Sequence, residues 1–261
     1  MTLQKPEDGD SPDGDVLPRL LARSEALLFD FDGPVTRFFA DYPTAPVADE
    51  MKDLLADRRV RLPPAVEAYQ DSHGLLHLLR SEVFPEDRPD AETQKTLELV
   101  ESIVTAHEYR AVQKARPEDG IASLLTALHG RGKRLVVVSN NAEGPVRAFL
   151  DVAGLTHRFE GVFGRDPHEL RHMKPHPRCV EMAIGFLGLS PEACLLVGDQ
   201  LTDLEAAHQA GVPFLGYARN TAVARRMRAE RAAWAGTSLR PVLAAAEALP
   251  AAPRTLPPHG S

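Results

Sequence analysis

Three short runs of apolar residues most restrict how this chain of 261 residues can fold. They are Ala26–Phe29, Leu135–Val138 and Cys194–Val197, and none of them alternates apolar with polar residues. A strand that is apolar at every position is buried on both faces, as the interior strands of parallel sheets are. The runs therefore predict a parallel sheet that is covered by helices on both sides.

Helical patterns separate the strands in the second half of the chain. Ile121–His129 carries leucines on one side and is followed by Gly130, and Pro177–Leu187 ends before Gly188. These are ordinary helix stop signals. Further strands are predicted at Gly161–Phe163 and Val212–Tyr217, and further helices at Val146–Val152, Leu204–Ala210 and Thr221–Trp234. Strands that alternate with helices predict right-handed crossovers and an α/β fold with a doubly wound parallel sheet.

Residues 46–115 differ from the rest of the chain, because they contain helical patterns and no convincing strand. We therefore predict an α/β core made of residues 18–36 and 117–248, with an inserted α-helical cap domain over residues 37–116. The two ends, residues 1–17 and 249–261, are rich in Pro, Gly or Asp. Such segments do not sustain a helix, and we expect both tails to be disordered.

Composition excludes several classes of protein. The net charge is −7, which argues against nonspecific binding to nucleic acid or to an anionic membrane. No stretch approaches the roughly 20 apolar residues of a membrane span, and the N-terminus lacks the basic and apolar regions of a secretory signal. The two cysteines, Cys179 and Cys194, are too few for a disulfide scaffold and read as core residues. We expect a cytoplasmic protein, a monomer or homodimer.

Polar residues follow the predicted strands where the strands end. They are Asp30 and Asp32 after the first run, Ser139 and Asn140 after the second, Asp199 and Asp203 after the third, and Lys174 in a loop between them. Parallel strands end at one edge of the sheet, where ligands bind. Carboxylates gathered there repel one another unless a cation lies among them, and oxygen ligands suit Mg²⁺. Taken singly, each Asp is better explained as a turn or capping residue, and it is the joint arrangement that favours a site.

The order of these residues resembles the haloacid dehalogenase-like (HAD) superfamily, in its phosphatase branch with a C1-type helical cap, as in phosphoglycolate phosphatases. The matching motifs are Asp30-Phe-Asp-Gly33, Ser139-Asn140, Lys174-Pro175 and Gly198-Asp199 with Asp203, within residues 24–220. The resemblance implies a Rossmann-like core and a Mg²⁺-dependent phosphatase that hydrolyses a small phosphorylated metabolite through an aspartyl-phosphate.

The resemblance also implies roles for individual residues. Asp30 would be the nucleophile and Asp32 the general acid and base. Asp30, the main-chain carbonyl of Asp32, Asp199 and Asp203 would hold Mg²⁺. The groups that would bind the transferred phosphoryl group are Lys174, Ser139, Asn140 and Gly33.

Three alternatives are weighed against this interpretation. Dehalogenases of the superfamily lack an acid at the position of Asp32, so its presence favours a phosphatase. A phosphomutase shares the same motifs. A catalytically weak member that binds a ligand or partner is suggested only by Pro34, which stands where the family has Thr or Val and removes a backbone donor.

Substrate specificity would rest with the cap. Its basic side chains are candidates for substrate contacts, although most of them are also explained as solvated helix faces: Arg37, Arg58, Arg59, His73, His77 and Arg80. His168, His172 and His176 have a spacing that suits zinc on one helix face. Pro175 and Pro177 interrupt any such helix, so we do not predict a zinc site.

Overall fold

The computed structural model describes residues 16–251, and a six-stranded parallel sheet forms its centre. The strand order is β3-β2-β1-β4-β5-β6, and every neighbouring pair is parallel. The strands are β1 Ala26–Phe29, β2 Arg134–Ala142, β3 Gly161–Arg165, β4 Cys194–Gly198, β5 Phe214–Tyr217 and β6 Trp234–Gly236. The predicted fold class, a doubly wound α/β sheet with a helical insertion, is confirmed.

Helices cover both faces of the sheet. They are α1 Val16–Arg23, α2 Ala45–Asp57, α3 Pro64–Glu67, α4 Ser72–Leu78, α5 Ala91–Val112, α6 Ile121–His129, α7 Glu143–Val152, α8 Arg178–Leu187, α9 Leu201–Gln209, α10 Thr221–Ala229 and α11 Arg240–Ala248. A π-helical turn, Leu79–Val83, follows α4, and short 3₁₀ turns lie at Thr156–Arg158, Leu170–His172 and Pro191–Ala193. Among the described residues, no helix is long and apolar enough to cross a membrane.

The central strand shows why the apolar runs do not alternate. β1 lies between β2 and β4, with Leu28 opposite Val136 on one side and Leu196 on the other. Successive β1 residues face opposite sides of the sheet. Leu27 and Phe29 pack into one apolar cluster and Ala26 and Leu28 into another, and all four are fully buried. Both faces of the strand are therefore core.

The helices α2–α5 all lie between β1 and β2, and we call them the helical insertion. They have an apolar cluster of their own, built around Met51, Leu55, Leu76 and Val100 and distinct from the two clusters of the sheet. Leu170, from the 3₁₀ turn after β3, also belongs to this cluster. The insertion therefore packs partly against the sheet edge, and its exact boundaries stay a prediction.

One predicted helix is wrong at its end. The helix predicted over Thr221–Trp234 stops at Ala229, Arg231 adopts a left-handed backbone with φ 69°, and Trp234 begins β6 opposite Leu215. The sixth strand spans three residues, which is too short to show a strand period in the sequence. Trp234 is nevertheless buried, as a packing residue should be.

The structure also differs at the inner ends of the predicted tails. Helix α1 begins at Val16, and Leu17 is buried in the core. At the other end Leu249 is buried, and its carbonyl accepts a hydrogen bond of 2.6 Å from Nε of Arg131. These residues are therefore ordered, while the rest of both predicted tails, residues 1–15 and 252–261, lies outside the described residues.

Candidate active site

The carboxyl edge of the sheet gathers the polar residues that follow the strands. Asp30 comes directly after β1, and its N–H donates to the carbonyl of Val197 in β4 at 2.8 Å, so the aspartate is held at the sheet edge. Asp199 follows β4, and Asp203 lies in the first turn of α9. All three aspartates are buried. The sheet itself therefore determines where these carboxylates lie.

Lys174 connects two of these aspartates. Its Nζ lies 2.7 Å from Oδ1 of Asp30, 2.6 Å from Oδ1 of Asp203 and 3.2 Å from the carbonyl of Val138. The side chain of Asn140 holds the main chain of Lys174 by two bonds. Asn140 Nδ2 donates to the lysine carbonyl at 3.0 Å, and Asn140 Oδ1 accepts from the lysine N–H at 2.7 Å. The ammonium is thus fixed between two carboxylates.

The charges of this cluster do not balance. Burial lowers the pKa of Lys174, but the charges of Asp203 and Asp30 outweigh burial, so the pKa lies above its usual value and the lysine is charged. Burial and the charge of Asp203 raise the pKa of Asp30 well above its usual value. The same two causes raise the pKa of Asp199 to about 7. The three carboxylates lie against two cations, the ammonium of Lys174 and the guanidinium of Arg219 at Asp199, and a further positive charge would stabilise their ionised forms.

The donor set fits a divalent cation. One carboxylate oxygen each from Asp30, Asp199 and Asp203 can lie within 4.8 Å of the others. Oδ1 of Asp199 is buried without a hydrogen-bond partner, whereas its Oδ2 accepts from Nε of Arg219 at 3.0 Å. A buried carboxylate oxygen without a partner is costly, and a cation at this point would satisfy it.

Asp203 is engaged by the protein at both oxygens. Oδ1 accepts from Lys174, and Oδ2 accepts from the N–H groups of Asp199 and Gln200 at 3.1 and 2.9 Å. The last bond belongs to the capping of α9. Asp203 therefore orders the loop that carries Asp199 as well as contributing charge.

Asp32 lies beside this cluster on the loop after β1. Its Oδ1 accepts from the N–H of Phe38 at 2.8 Å. Desolvation raises the pKa of Asp32, and the bond from Phe38 and the charges of His73 and Arg219 only partly oppose it. The carboxyl group therefore keeps its proton to a higher pH than an ordinary aspartate.

The loop after Asp32 requires glycine and tolerates proline. Gly33 has φ 130°, and a Cβ atom there would lie 2.6 Å from Cγ of Asp199. The turn that follows is closed by the N–H groups of Gly33, Val35 and Thr36, which bond to carbonyls of Thr36 and Phe31. None of these bonds needs an N–H from Pro34. The departure from the family pattern at Pro34 therefore leaves the hydrogen bonds of this turn intact.

The C-terminal end of β2, which extends beyond the predicted strand and includes Ser139, is tied down by Glu108, a residue that the sequence did not suggest. Ser139 Oγ donates to Oδ1 of Asn141 at 3.0 Å. Glu108 of α5 is fully buried and accepts from Asn141 Nδ2 at 3.1 Å and from the N–H of Ala142 at 3.0 Å. His73 of α4 also lies 2.8 Å from Glu108. The helical insertion therefore holds the end of β2 that carries Ser139.

Arg165, at the end of β3, neutralises the buried acids of α5. Its guanidinium has no exposed surface and donates to Glu108 at 2.8 Å, to Glu101 at 2.7 Å and to the carbonyl of Asn140 at 2.7 Å. One signal in the sequence could have revealed this network. Glu101 and Glu108 stand next to the apolar positions of an amphipathic helix, where an acid needs a buried partner.

The basic candidates of the insertion have varied surroundings. Arg58 pairs with Glu92, and Arg80 is buried and donates to the carbonyls of Phe84 and Glu86. These two contacts are structural. Arg59 has φ 57° just beyond α2, and Nδ1 of His77 is buried without a partner. His73 bonds to Glu108, and Arg37 lies on the wall of the cavity described below.

The three histidines near Lys174 do not form a metal site. His168 pairs with Glu98, and His172 and His176 have ring centroids 5.1 Å apart. Among residues 16–251, the only group of side chains with metal-ligand geometry is the aspartate cluster. Both cysteines are buried, and burial raises the pKa of each thiol to about 11, which makes a reactive thiolate unfavourable.

A cavity of about 420 Å³ opens beside Asp32 and Asp199. The loop after β1 and the loop after β5 form its walls, and Arg219, in the second loop, follows the end of a strand as the other site residues do. The rule that located the aspartates could therefore also have located Arg219. The lining residues include Gly33, Arg37, Phe39, Glu118, Tyr217 and Thr237.

The buried carboxylate of Glu108 leads to a prediction about stability. Burial raises its pKa, but the charge of Arg165 and the hydrogen bond of His73 outweigh burial and hold the pKa at about 2, against a usual value of 4.5. Because the folded-state pKa is depressed, the stabilisation is complete above pH 4.5 and is lost as the pH falls towards 2. Glu108→Gln should therefore cost about 3 kcal/mol of unfolding free energy at pH 7, and less at pH 4.

Urea denaturation at the two pH values measures this difference. Glu92→Gln is the matched control, because Glu92 lies on the same helix in an exposed ion pair with Arg58, and it should change stability little at either pH. A cost for Glu108→Gln that is as small as that of the control would contradict the assignment.

Comparisons with known proteins agree with this architecture. A model of the haloacid dehalogenase-like hydrolase family matches residues 25–211. A phosphoglycolate phosphatase of Rhodospirillum rubrum is 40% identical over 104 residues, which make up 38% of this chain and 42% of that protein. One from Xylella fastidiosa is 30% identical over 125 residues, 48% of this chain and 54% of that protein. The chain thus matches about half the length of these curated relatives.

Solved structures show the same fold. A haloacid dehalogenase-like hydrolase from Streptococcus pneumoniae superposes with a TM-score of 0.56 at 17% identity, over 85% of this chain and 98% of that one. A HAD family hydrolase from Deinococcus radiodurans, solved with bound phosphate and sodium, gives 0.52 at 27% identity, over 88% of this chain and all of the other. Since the family model covers most of the chain, the protein belongs to the haloacid dehalogenase-like hydrolases.

Proposed function

We propose that this protein is a Mg²⁺-dependent phosphatase that hydrolyses a small phosphomonoester through an aspartyl-phosphate on Asp30. The observation that carries the proposal is the buried carboxylate of Asp30, held at 2.7 Å by Lys174 beside an aspartate oxygen that has no partner. The relatives named as phosphoglycolate phosphatases support a phosphomonoester as substrate.

In the first step Asp30 attacks phosphorus. Lys174 binds Oδ1 of Asp30, which leaves Oδ2 to form the new bond to phosphorus while the bond to the leaving alcohol breaks. The lysine stabilises the ionised nucleophile. Its three N–H donors are engaged by Asp30, Asp203 and the carbonyl of Val138, so it would bind a phosphoryl oxygen by exchanging one of these bonds. A carboxylate nucleophile divides a difficult hydrolysis into two easier displacements.

Asp32 supplies and then recovers a proton. Its raised pKa keeps the carboxyl group protonated closer to neutral pH, so it can protonate the leaving oxygen as the alcohol departs. In the second step the resulting carboxylate removes a proton from water, and the water oxygen attacks phosphorus. Phosphate leaves, Asp30 is regenerated, and Asp32 is again protonated.

The remaining site residues would orient the phosphoryl group. Ser139 and Asn140 lie near the end of β2 and Gly33 on the loop after β1, and Glu108 and Arg165 hold the end of β2 in place. Asp30, the carbonyl of Asp32, Asp199 and Asp203 would hold the cation. When bound, the cation would offset the charge of the carboxylates and of the phosphoryl oxygens.

Replacing the nucleophile should abolish turnover. We expect Asp30→Asn to release phosphate at less than about 1% of the wild-type rate, because an amide cannot form the acyl-phosphate. The measurement is phosphate release from a panel of phosphomonoesters that includes 2-phosphoglycolate. Asp151→Asn is the matched control, since Asp151 is exposed on α7, and it should retain wild-type activity. Release of an isomeric ester in place of phosphate would indicate a mutase.

The role of Asp32 can be separated from that of Asp30 by the leaving group. Asp32→Asn should lower kcat/KM for an alkyl phosphate by about 10²- to 10⁴-fold, because the alkoxide then departs without a proton. The loss should be much smaller for p-nitrophenyl phosphate, whose phenolate is stable. Equal losses for the two esters would assign Asp32 to another role.

Metal dependence follows from the unpaired oxygen of Asp199. Chelation with EDTA should silence the enzyme, and added Mg²⁺ should restore it. We expect Asp199→Asn to raise the Mg²⁺ concentration needed for half-maximal activity by about tenfold or more, because one anionic ligand is lost. Full activity of the wild type in the presence of chelator would overturn the proposed role of the cation.

A further inference from the structure

Of the groups that would bind the phosphoryl oxygens, only Gly33 lines the cavity beside Asp32. Its walls include Asp32, Asp199 and Arg219, but neither Lys174 nor Ser139. On the proposed mechanism the leaving oxygen must reach the carboxyl group of Asp32 to receive its proton. The rest of the alcohol would then extend into this cavity, whose volume of about 420 Å³ suits a small group.

Arg219 presents unused hydrogen-bond donors at this cavity. Its Nε donates to Oδ2 of Asp199 at 3.0 Å, so one edge of the guanidinium is held in place. The other edge is open, because 67% of the side chain is exposed and neither terminal nitrogen bonds to an acceptor among residues 16–251. A guanidinium that is fixed on one edge and free on the other is preorganised to bind an anion.

Arg37 is the other arginine of the cavity, and one edge of its guanidinium is already paired. Its Nε and one terminal nitrogen bind the two oxygens of Glu118 at 2.7 and 3.2 Å. The hydroxyl of Tyr217 donates to the same carboxylate at 2.8 Å. Glu118 therefore offsets the charge of Arg37 and engages one of its terminal nitrogens, whereas both terminal nitrogens of Arg219 are open among the described residues.

Arg219 remains charged in these surroundings. A guanidinium keeps its proton at any ordinary pH, and the carboxylates of Asp199, Asp32 and Asp71 lie around it. The three carboxylates would oppose binding of an anion far from the guanidinium. The carboxylates therefore restrict an anionic group to the position where it contacts the open edge of the Arg219 guanidinium directly.

We propose that Arg219 is a specificity-determining residue that binds a carboxylate on the leaving alcohol of the substrate. The inference rests on the proposed phosphatase function, and it assigns the recognition of the alcohol to the loop after β5 in the core. The two terminal nitrogens match the two oxygens of a carboxylate, which a point charge such as lysine does not. The substrate class is thus small phosphomonoesters of hydroxy acids.

A pair of nearly isosteric esters tests the inference. 2-Phosphoglycolate carries the carboxylate, and 2-phosphoglycolamide carries an uncharged amide at the same position. We expect the wild type to prefer the acid, and Arg219→Gln to lower kcat/KM for the acid by about 10- to 100-fold. For the amide the loss should stay below about threefold. Arg219→Lys should recover part of the preference.

Arg37→Gln is the matched control, because Arg37 lines the same cavity with one edge of its guanidinium and its charge paired to Glu118. It should change kcat/KM for the two esters by the same factor. If Arg219→Gln also lowers both esters equally, Arg219 acts only by orienting Asp199, and the inference is overturned. Lack of preference for the acid in the wild type would overturn it as well.

A binding measurement separates this inference from the proposed function. Calorimetry on the Asp30→Asn variant with Mg²⁺ gives dissociation constants for both esters without turnover. Adding Arg219→Gln should remove the preference for the acid. Suppose that the wild type hydrolyses neither ester, but Asp30→Asn binds the acid more tightly than the amide and the added Arg219→Gln removes this preference. The phosphatase proposal then fails and the inference stands. If both esters are hydrolysed and bound without preference, the phosphatase stands and the inference fails.

Discussion

The buried ammonium of Lys174 is the interaction on which the site depends. It lies within 2.7 Å of Asp30 and Asp203, so it draws together two aspartates that leave different strands of the sheet. Removing it would leave buried carboxylates without a counter-charge, which is far more costly than losing an exposed ion pair. The main chain of Lys174 is itself held by Asn140. Asn140 of β2 therefore fixes the position of Lys174, and Lys174 in turn fixes the two carboxylates.

A second buried charge network joins the helical insertion to the same edge of the sheet. Arg165 at the end of β3 binds Glu101 and Glu108 of α5, and Glu108 binds the N–H of Ala142 at the end of β2. The C-terminal part of α5 is thus tied to the core and to the end of β2 that carries Ser139. His73 of α4 also contacts the core, because its Nε2 lies 3.3 Å from Nδ2 of Asn141. Any motion that opens the site must leave these α5 bonds intact or break them at considerable cost.

The two carboxylate oxygens of Asp199 have different surroundings. One oxygen is held by Arg219 and the other is buried without a partner. Gly33 makes this arrangement possible, because a side chain there would collide with the carboxylate. The same aspartate therefore links the proposed metal position to the cavity in which the leaving group would lie. Orientation of a metal ligand by a second residue commonly tunes such sites.

Much of the architecture could be predicted from local patterns. Apolar runs without alternation indicated interior strands, and β1, β2 and β4 lie where those runs are. The positions of the aspartates could be predicted because the carboxyl ends of parallel strands lie at one edge of the sheet, whatever the conformation of the loops. The end of helix α10 at Ala229 could not be predicted, because the strand that follows it spans only three residues and shows no period in the sequence. Trp234 was accordingly placed in the wrong element.

The sequence by itself determined the parallel sheet and the set of acidic residues at its edge, because these follow from periodicity and from position along a strand. The order of its motifs carried the resemblance to the family. Only the tertiary structure decided which charges meet. Arg165 and Glu108 are 57 residues apart, and Lys174 and Asp30 are 144 apart. Pairing at such separations depends on how helices pack on the sheet, and packing is decided by the summed burial of many side chains. The free edge of Arg219 is likewise a property of its neighbours and not of its place in the chain.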